Sequence, residues 1–242
     1  MGSQPTGSQP TGSQGTMPVD AVVFDCDGVL VDSLWSVDRA WRRWSGHYGL
    51  DPEAVLAVIH GQPTRESVPT LVAAAQVEAA LRRIDDYELE DATGVTALPG
   101  TATLLAALPS GRWAIVTSAS RALFDARLCA AGLSAPAIVV TADDVTHGKP
   151  DPEGYALAMR RLGVAPERTA VFEDSVGGIA AAIASGAGMV VRVGVGEPGP
   201  GQAAVVPDLR SVAWRDGLVL RPAGDRPAGD RPAGDRPAGD PI

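Results

Sequence analysis

The stretch Val19-Asp20-Ala21-Val22-Val23-Phe24-Asp25-Cys26-Asp27-Gly28 decides the architecture. It opens as a short β-rich apolar run and stops at Asp25. Trp113-Ala114-Ile115-Val116 repeats the pattern and ends at Thr117-Ser118. Ala137-Ile138-Val139-Val140 is a further run, Thr169-Ala170-Val171-Phe172 another that ends at Glu173-Asp174, and Met189-Val190-Val191-Arg192-Val193 the last. Helical stretches separate them at 121–131, 152–162 and 176–185, closed by Gly132, Gly163 and Gly186. Glycine just past a helix is a stop signal, because it accepts the left-handed backbone that ends the last turn. Strands alternating with helices imply an α/β fold with a parallel, doubly wound, Rossmann-like sheet.

The alternation breaks after the first strand. Positions 33–98 hold no convincing strand and read as several helices: 34–48, with Leu34, Val37, Trp41 and Trp44 at helical spacing, then 52–60, then 71–90. Gly61-Gln62-Pro63 breaks the series, and Pro99-Gly100 marks the return. The predicted organisation is a core of 18–32 and 99–220 with an all-helical module, 33–98, inserted into it. Trp41 and Trp44 are expected to pack in that module's core. The ends differ in character. Positions 1–17 repeat Gly-Ser-Gln-Pro-Thr and 221–242 carry four copies of Arg-Pro-Ala-Gly-Asp, so both are expected to be flexible tails.

Composition narrows the class. The formal charge is -9, from 20 basic and 29 acidic residues, and Lys149 is the sole lysine. An acidic body without a basic stripe argues against nucleic acid or anionic membrane as partner. No apolar run reaches the roughly 18 residues of a membrane helix. The N-terminus lacks the charged and apolar regions of a secretory signal. Two cysteines, Cys26 and Cys129, cannot build a disulfide framework or a four-thiolate zinc site. A cytoplasmic protein with reduced thiols is expected.

Polar residues gather at the strand ends, where open α/β sheets bind ligands. Strand-like alternation puts Asp25 and Asp27 on one side and Cys26 on the other. Two close carboxylates repel unless a cation lies between them or one takes a proton. Thr117-Ser118 offers hydroxyls and N–H groups ahead of a helix, a ready anion site. Glu173-Asp174 adds hard oxygen donors that suit Mg²⁺. His147-Gly148-Lys149-Pro150 brings one ammonium. Carboxylates, a metal, phosphate donors and an ammonium together are the requirements of phosphoryl transfer.

With these residues in place, the chain resembles the haloacid dehalogenase superfamily of phosphatases. Phe24-Asp25-Cys26-Asp27-Gly28-Val29-Leu30-Val31-Asp32-Ser33 is similar to the first motif of that family. Thr117-Ser118 matches the second, Lys149-Pro150-Asp151-Pro152 the third, and Glu173-Asp174-Ser175 with Gly177-Gly178-Ile179 the fourth. The resemblance implies a Mg²⁺-dependent core with a helical cap, here 33–98. It assigns Asp25 as nucleophile, forming an aspartyl-phosphate, and Asp27 as acid and then base. Asp25, the backbone carbonyl of Asp27, and Asp174 would hold Mg²⁺, with Glu173 nearby as a further ligand or a support for the others. Thr117 and the N–H groups of Ser118 and Ala119 would hold the phosphate, and Lys149 would pair with Asp25 and the phosphoryl oxygens. Ala119 departs from the glycine of many relatives but keeps its backbone donor. Cys26 is expected to be buried and inert.

The same resemblance bears on the reaction. The β-phosphoglucomutases carry a cap histidine where this chain has Val37, and a cap lysine, whereas positions 33–98 contain none. Phosphonoacetaldehyde hydrolases need a cap lysine too, and the dehalogenases lack the second acid, Asp27. Hydrolysis of a phosphate monoester is expected. The alternatives are a sugar phosphomutase with another cap base and a catalytically inactive regulator that binds a phosphorylated metabolite. The cap is similar to those of sugar- and polyol-phosphate phosphatases, such as hexitol- and glycerol-phosphate phosphatases. That places His60, Gly61, Gln62 and Arg65 on a loop facing the phosphate, where they would read a small phosphorylated carbohydrate. A monomer is expected, since the cap must move.

Overall fold

The computed structural model describes residues 18–59 and 64–220. Both expected tails, and His60, Gly61 and Gln62, lie outside the described residues. The strands in chain order are β1 (Ala21–Phe24), β2 (Val31–Asp32), β3 (Thr96–Ala97), β4 (Trp113–Val116), β5 (Val139–Val140), β6 (Thr169–Glu173), β7 (Met189–Val193), β8 (Ala204–Val206), β9 (Val212–Trp214) and β10 (Leu218–Leu220). The helices are α1 (Leu34–Tyr48), α2 (Pro52–Ile59), α3 (Thr64–Leu71), α4 (Val77–Asp91), α5 (Thr101–Ala107), α6 (Arg121–Ala130), α7 (Glu153–Leu162) and α8 (Val176–Ala184).

One six-stranded sheet runs β5-β4-β1-β6-β7-β8, every pair parallel. Its strands read as unbroken apolar runs because both faces are covered. Val22 and Phe24 enter one buried cluster, and Val23 enters the cluster on the opposite face. Phe24 stacks on Phe172 of β6, with ring centroids 5.2 Å apart. From β1 the chain builds β4 and β5 on one side and β6, β7 and β8 on the other. The crevice of a doubly wound sheet opens at such a switch point, at the carboxyl ends of the strands. Here those are the ends of β4, β1 and β6.

The helices α1 to α4 have an apolar core of their own, containing Trp41, Trp44 and Ile84. Trp44 Nε1 donates to Ala80 O at 2.9 Å, which ties α1 to α4 and satisfies the indole N–H. The expected packing of both tryptophans is therefore present. Leu34 departs from it and is 56% exposed, because the buried positions of α1 begin only at Ser36.

Other expectations need correction. The helix read over 71–90 is interrupted: Ala73 is extended (φ -63, ψ 147), and a 3₁₀ turn, Ala74–Gln76, precedes α4. Thr96–Ala97 is a strand, pairing antiparallel with Val31–Asp32 where the chain leaves and re-enters the core. Leu98 N donates to Leu30 O at 2.9 Å at this crossing. The run at 137–140 shortens to Val139–Val140. Strand β8, the β9–β10 hairpin and α5 lie in segments that the sequence reading left without elements.

Candidate active site

The sheet order brings Asp25, Thr117 and Glu173-Asp174 together from three adjacent strand ends. Asp25 follows β1, and its N–H donates to Phe172 O of β6 at 2.9 Å, which fixes the backbone beneath its carboxylate. Cys26 points the other way into the apolar cluster, as expected, and burial followed by the charges of Asp27 and Asp25 pushes its thiol well up. Gly28 turns the chain at φ +80, and a Cβ there would sit 2.1 Å from Asp174 Oδ2. Glycine thus lets the loop after β1 pack directly on the loop after β6.

Lys149 reaches into this group from the loop before α7. Its Nζ donates to Asp25 Oδ1, and to Glu173 Oε1 at 2.5 Å. Glu173 is fully buried. Its Oε1 also accepts from Tyr155 Oη at 2.9 Å, and its Oε2 accepts from Asp174 N, Ser175 N and Ser175 Oγ. Burial opposes its ionisation, yet Lys149 and these donors hold its carboxyl below the ordinary range. With both oxygens occupied by protein donors, Glu173 organises the site around Lys149.

Asp25, Glu173 and Asp174 each present an oxygen within 4.8 Å of the others. Burial, added to by the neighbouring carboxylates and opposed by Lys149, pushes the Asp25 carboxyl well up. Asp174 is pushed up to about 7, by burial first and then by Glu173. An all-oxygen cluster in which burial, and then neighbouring carboxylates, disfavour ionisation of Asp25 and Asp174 fits a hard divalent cation, which favours the charged form.

Asp27 sits differently. Its Oδ1 accepts from Ser33 Oγ at 2.5 Å and from an Arg127 NH1 at 3.0 Å, while its Oδ2 has Thr117 Oγ1 at 3.4 Å. Thr117 is buried, and its hydroxyl accepts from Ala119 N at 3.1 Å. A cavity of about 230 Å³ opens beside the acid cluster, lined by Thr117, Ser118 and Lys149 from the core and Arg65, Asp85 and Glu88 from the helical module. Thr117 and Lys149 border both the cavity and the carboxylates, and Ser118, Ala119 and Ser120 ahead of α6 line its wall, an arrangement that suits an anion.

Of the expected cavity residues in the helical module, Arg65 is described. It lines the cavity while its NH1 donates to Ala142 O at 3.1 Å and Val145 O at 3.2 Å, clasping the module to the core. The sequence reading gave no role to Arg127, Glu88, Asp85, Ser33 or Tyr155. Arg127 and Glu88 form a buried ion pair at 3.4 Å between α6 and α4. Burial, opposed by Arg127, pushes Glu88 up to about 7. Their periodic setting offered no signal, since charged residues along helices ordinarily face water.

The sequence profile of the haloacid dehalogenase-like hydrolases matches residues 19–186. Hexitol phosphatase A of Escherichia coli is 43% identical over 169 residues, covering 68% of this chain and 78% of that protein. A fructose-1-phosphate phosphatase of the same organism is 33% identical over 173 residues, covering 68% and 92%. The crystal structure of a HAD-family hydrolase from Deinococcus radiodurans, with bound phosphate and sodium, superposes at a TM-score of 0.58 and 32% identity, over 80% of this chain and 94% of that one. Profile, identity and superposition agree with the geometry, and the chain belongs to the haloacid dehalogenase-like hydrolase family.

Proposed function

We propose that the protein is a Mg²⁺-dependent phosphatase that hydrolyses a small phosphorylated sugar or polyol through an aspartyl-phosphate. The observation that carries this reading is Lys149 set between Asp25 and Glu173, beside Asp174 and at the edge of the cavity. An anionic nucleophile must approach an anionic phosphate, and a fixed ammonium lowers that repulsion.

In this reading 18–32 and 99–220 form the catalytic core and 33–98 the cap. Asp25 attacks phosphorus, while Thr117 and the N–H groups of Ser118 and Ala119 hold the phosphoryl oxygens. Asp27 gives a proton to the leaving oxygen, then takes one from the water that attacks the phosphoenzyme. Asp25, the Asp27 carbonyl and Asp174 would hold Mg²⁺, whose charge offsets that of the carboxylates and phosphate. Arg65 holds the cap on the core so that the first step excludes water.

The substrate class rests on the names of the relatives and on a cavity that presents Asp85 for hydroxyl groups. Hydrolysis is favoured over mutase chemistry because Val37, at the position of the mutase histidine, is a half-buried apolar side chain packed against the helical core and carries no proton-transfer group. A phosphate-release screen over hexitol, hexose and glycerol phosphates, with and without EDTA, tests the reading. Release that needs Mg²⁺ supports it. Full activity in excess EDTA, or isomerised hexose phosphate without free phosphate, overturns it.

A further inference from the structure

We propose that Arg127 is a positioning residue for proton transfer: one arm of its guanidinium pins Asp27, and the other makes that grip part of the docking of the helical module. The inference rests on the phosphatase reading of the site. It starts from a side chain only 3% exposed, with NH1 3.0 Å from Asp27 Oδ1 and NH2 3.4 Å from Glu88 Oε1. Asp27 lies in the loop after β1, Arg127 on α6 and Glu88 on α4. Among the described residues, neither carboxylate has an ion pair with another cation. The planar fork of Arg127 gives each carboxylate its own nitrogen, NH1 to Asp27 and NH2 to Glu88, at a fixed spacing.

The two oxygens of Asp27 are then unequal. Oδ1 is occupied by Arg127 and by Ser33 Oγ at 2.5 Å. Ser33 stands at the N-cap position of α1, yet its hydroxyl does not cap the helix and is directed to Asp27 instead. Among the described residues, Oδ2 has only Thr117 Oγ1, at 3.4 Å, near the limit of a hydrogen bond. The proton that passes to the leaving oxygen therefore travels on Oδ2, and Oδ1 fixes the direction in which Oδ2 points. Glu88 belongs to the helical module, so Arg127 has both partners only while α4 lies against α6. Docking of the module and aim of the acid thus share one side chain.

A positioning role predicts sensitivity to the leaving group. An alkyl phosphate needs a proton on its departing oxygen, whereas p-nitrophenolate leaves without one. Wild type, Arg127→Lys and Glu88→Gln are compared in pre-steady-state time courses with substrate in excess, in Mg²⁺. The probes are p-nitrophenyl phosphate and the better cleaved of sorbitol phosphate and glycerol phosphate. For Arg127→Lys the alkyl rate should fall by about 10²-fold or more, the usual range for general acid–base catalysis. The first p-nitrophenolate release should fall less than about tenfold, followed by slow turnover because the attacking water still needs Asp27. Glu88→Gln should show the same split more weakly. If Arg127→Lys does not fold, as judged by its thermal melt, Glu88→Gln alone decides. Equal losses on both probes without a burst, or wild-type rates in the variants, overturn the positioning role. A wild-type enzyme that cleaves neither probe overturns the phosphatase reading, and the role with it.

Discussion

Lys149 Nζ lies 2.5 Å from Oε1 of Glu173, a carboxylate with no solvent exposure. The same ammonium donates to Asp25. A buried carboxylate is costly unless paired and hydrogen-bonded, and here the pairing also places a cation on the proposed nucleophile. The chain has one lysine among 20 basic residues, and this is where it stands.

Lys149→Arg should therefore be inactivating despite keeping the charge. A guanidinium is larger and planar, and cannot occupy the point between Asp25 and Glu173. The expected loss in kcat is about 10²-fold or more, the scale of removing one aimed charge-stabilising donor. Steady-state kinetics check it, and unchanged kcat would contradict the compact-ammonium explanation.

Gly28→Ala should damage cation binding more than folding. Its Cβ would meet Asp174 Oδ2 at 2.1 Å, and φ +80 adds about 1–2 kcal/mol of left-handed strain. The Mg²⁺ concentration giving half-maximal activity should rise by about tenfold, equivalent to about 1.4 kcal/mol of lost cation affinity. An unchanged Mg²⁺ requirement in a folded variant would show that Asp174 does not hold the ion.

Stability should depend on pH through Glu88. Its folded-state pKa, about 7, lies above the usual 4.5, so the folded protein binds this proton more tightly than the unfolded chain. The contribution is greatest below pH 4.5 and is lost as pH rises to about 7. Glu88→Gln removes that dependence. The Tm of the wild type relative to the variant should fall across this window and level off above it. A constant difference would contradict the assignment.

Arg65→Ala should weaken cap docking rather than chemistry. Two hydrogen bonds from a charged group to Ala142 and Val145 are lost, each worth about 1.5–3 kcal/mol. KM should rise by about tenfold or more, with a smaller change in kcat. A kcat loss at constant KM would place Arg65 in the chemical step instead.

The sheet was legible where burial on both faces leaves unbroken apolar runs, as in Val22-Val23-Phe24 and Thr169-Ala170-Val171-Phe172. The acid cluster was legible because Asp25 and Glu173-Asp174 each end such a run. The break at Ala73 was not, since Val72-Ala73-Ala74-Ala75 contains no proline or glycine to mark it. Strands β8, β9 and β10 have three residues each, too few for a period to show. Arg127 and Glu88 were illegible for a different reason. On their own helices each looks like a solvated charge, and only the packing of α4 on α6 buries them as a pair.

The most direct test is mass spectrometry of enzyme acid-quenched during turnover of a hexitol phosphate in Mg²⁺. The account predicts one phosphoryl group on the peptide containing Asp25, and neither adduct nor turnover in Asp25→Asn. Turnover with no phosphoryl group on Asp25, or an Asp25→Asn variant with near-wild-type rates, would contradict it.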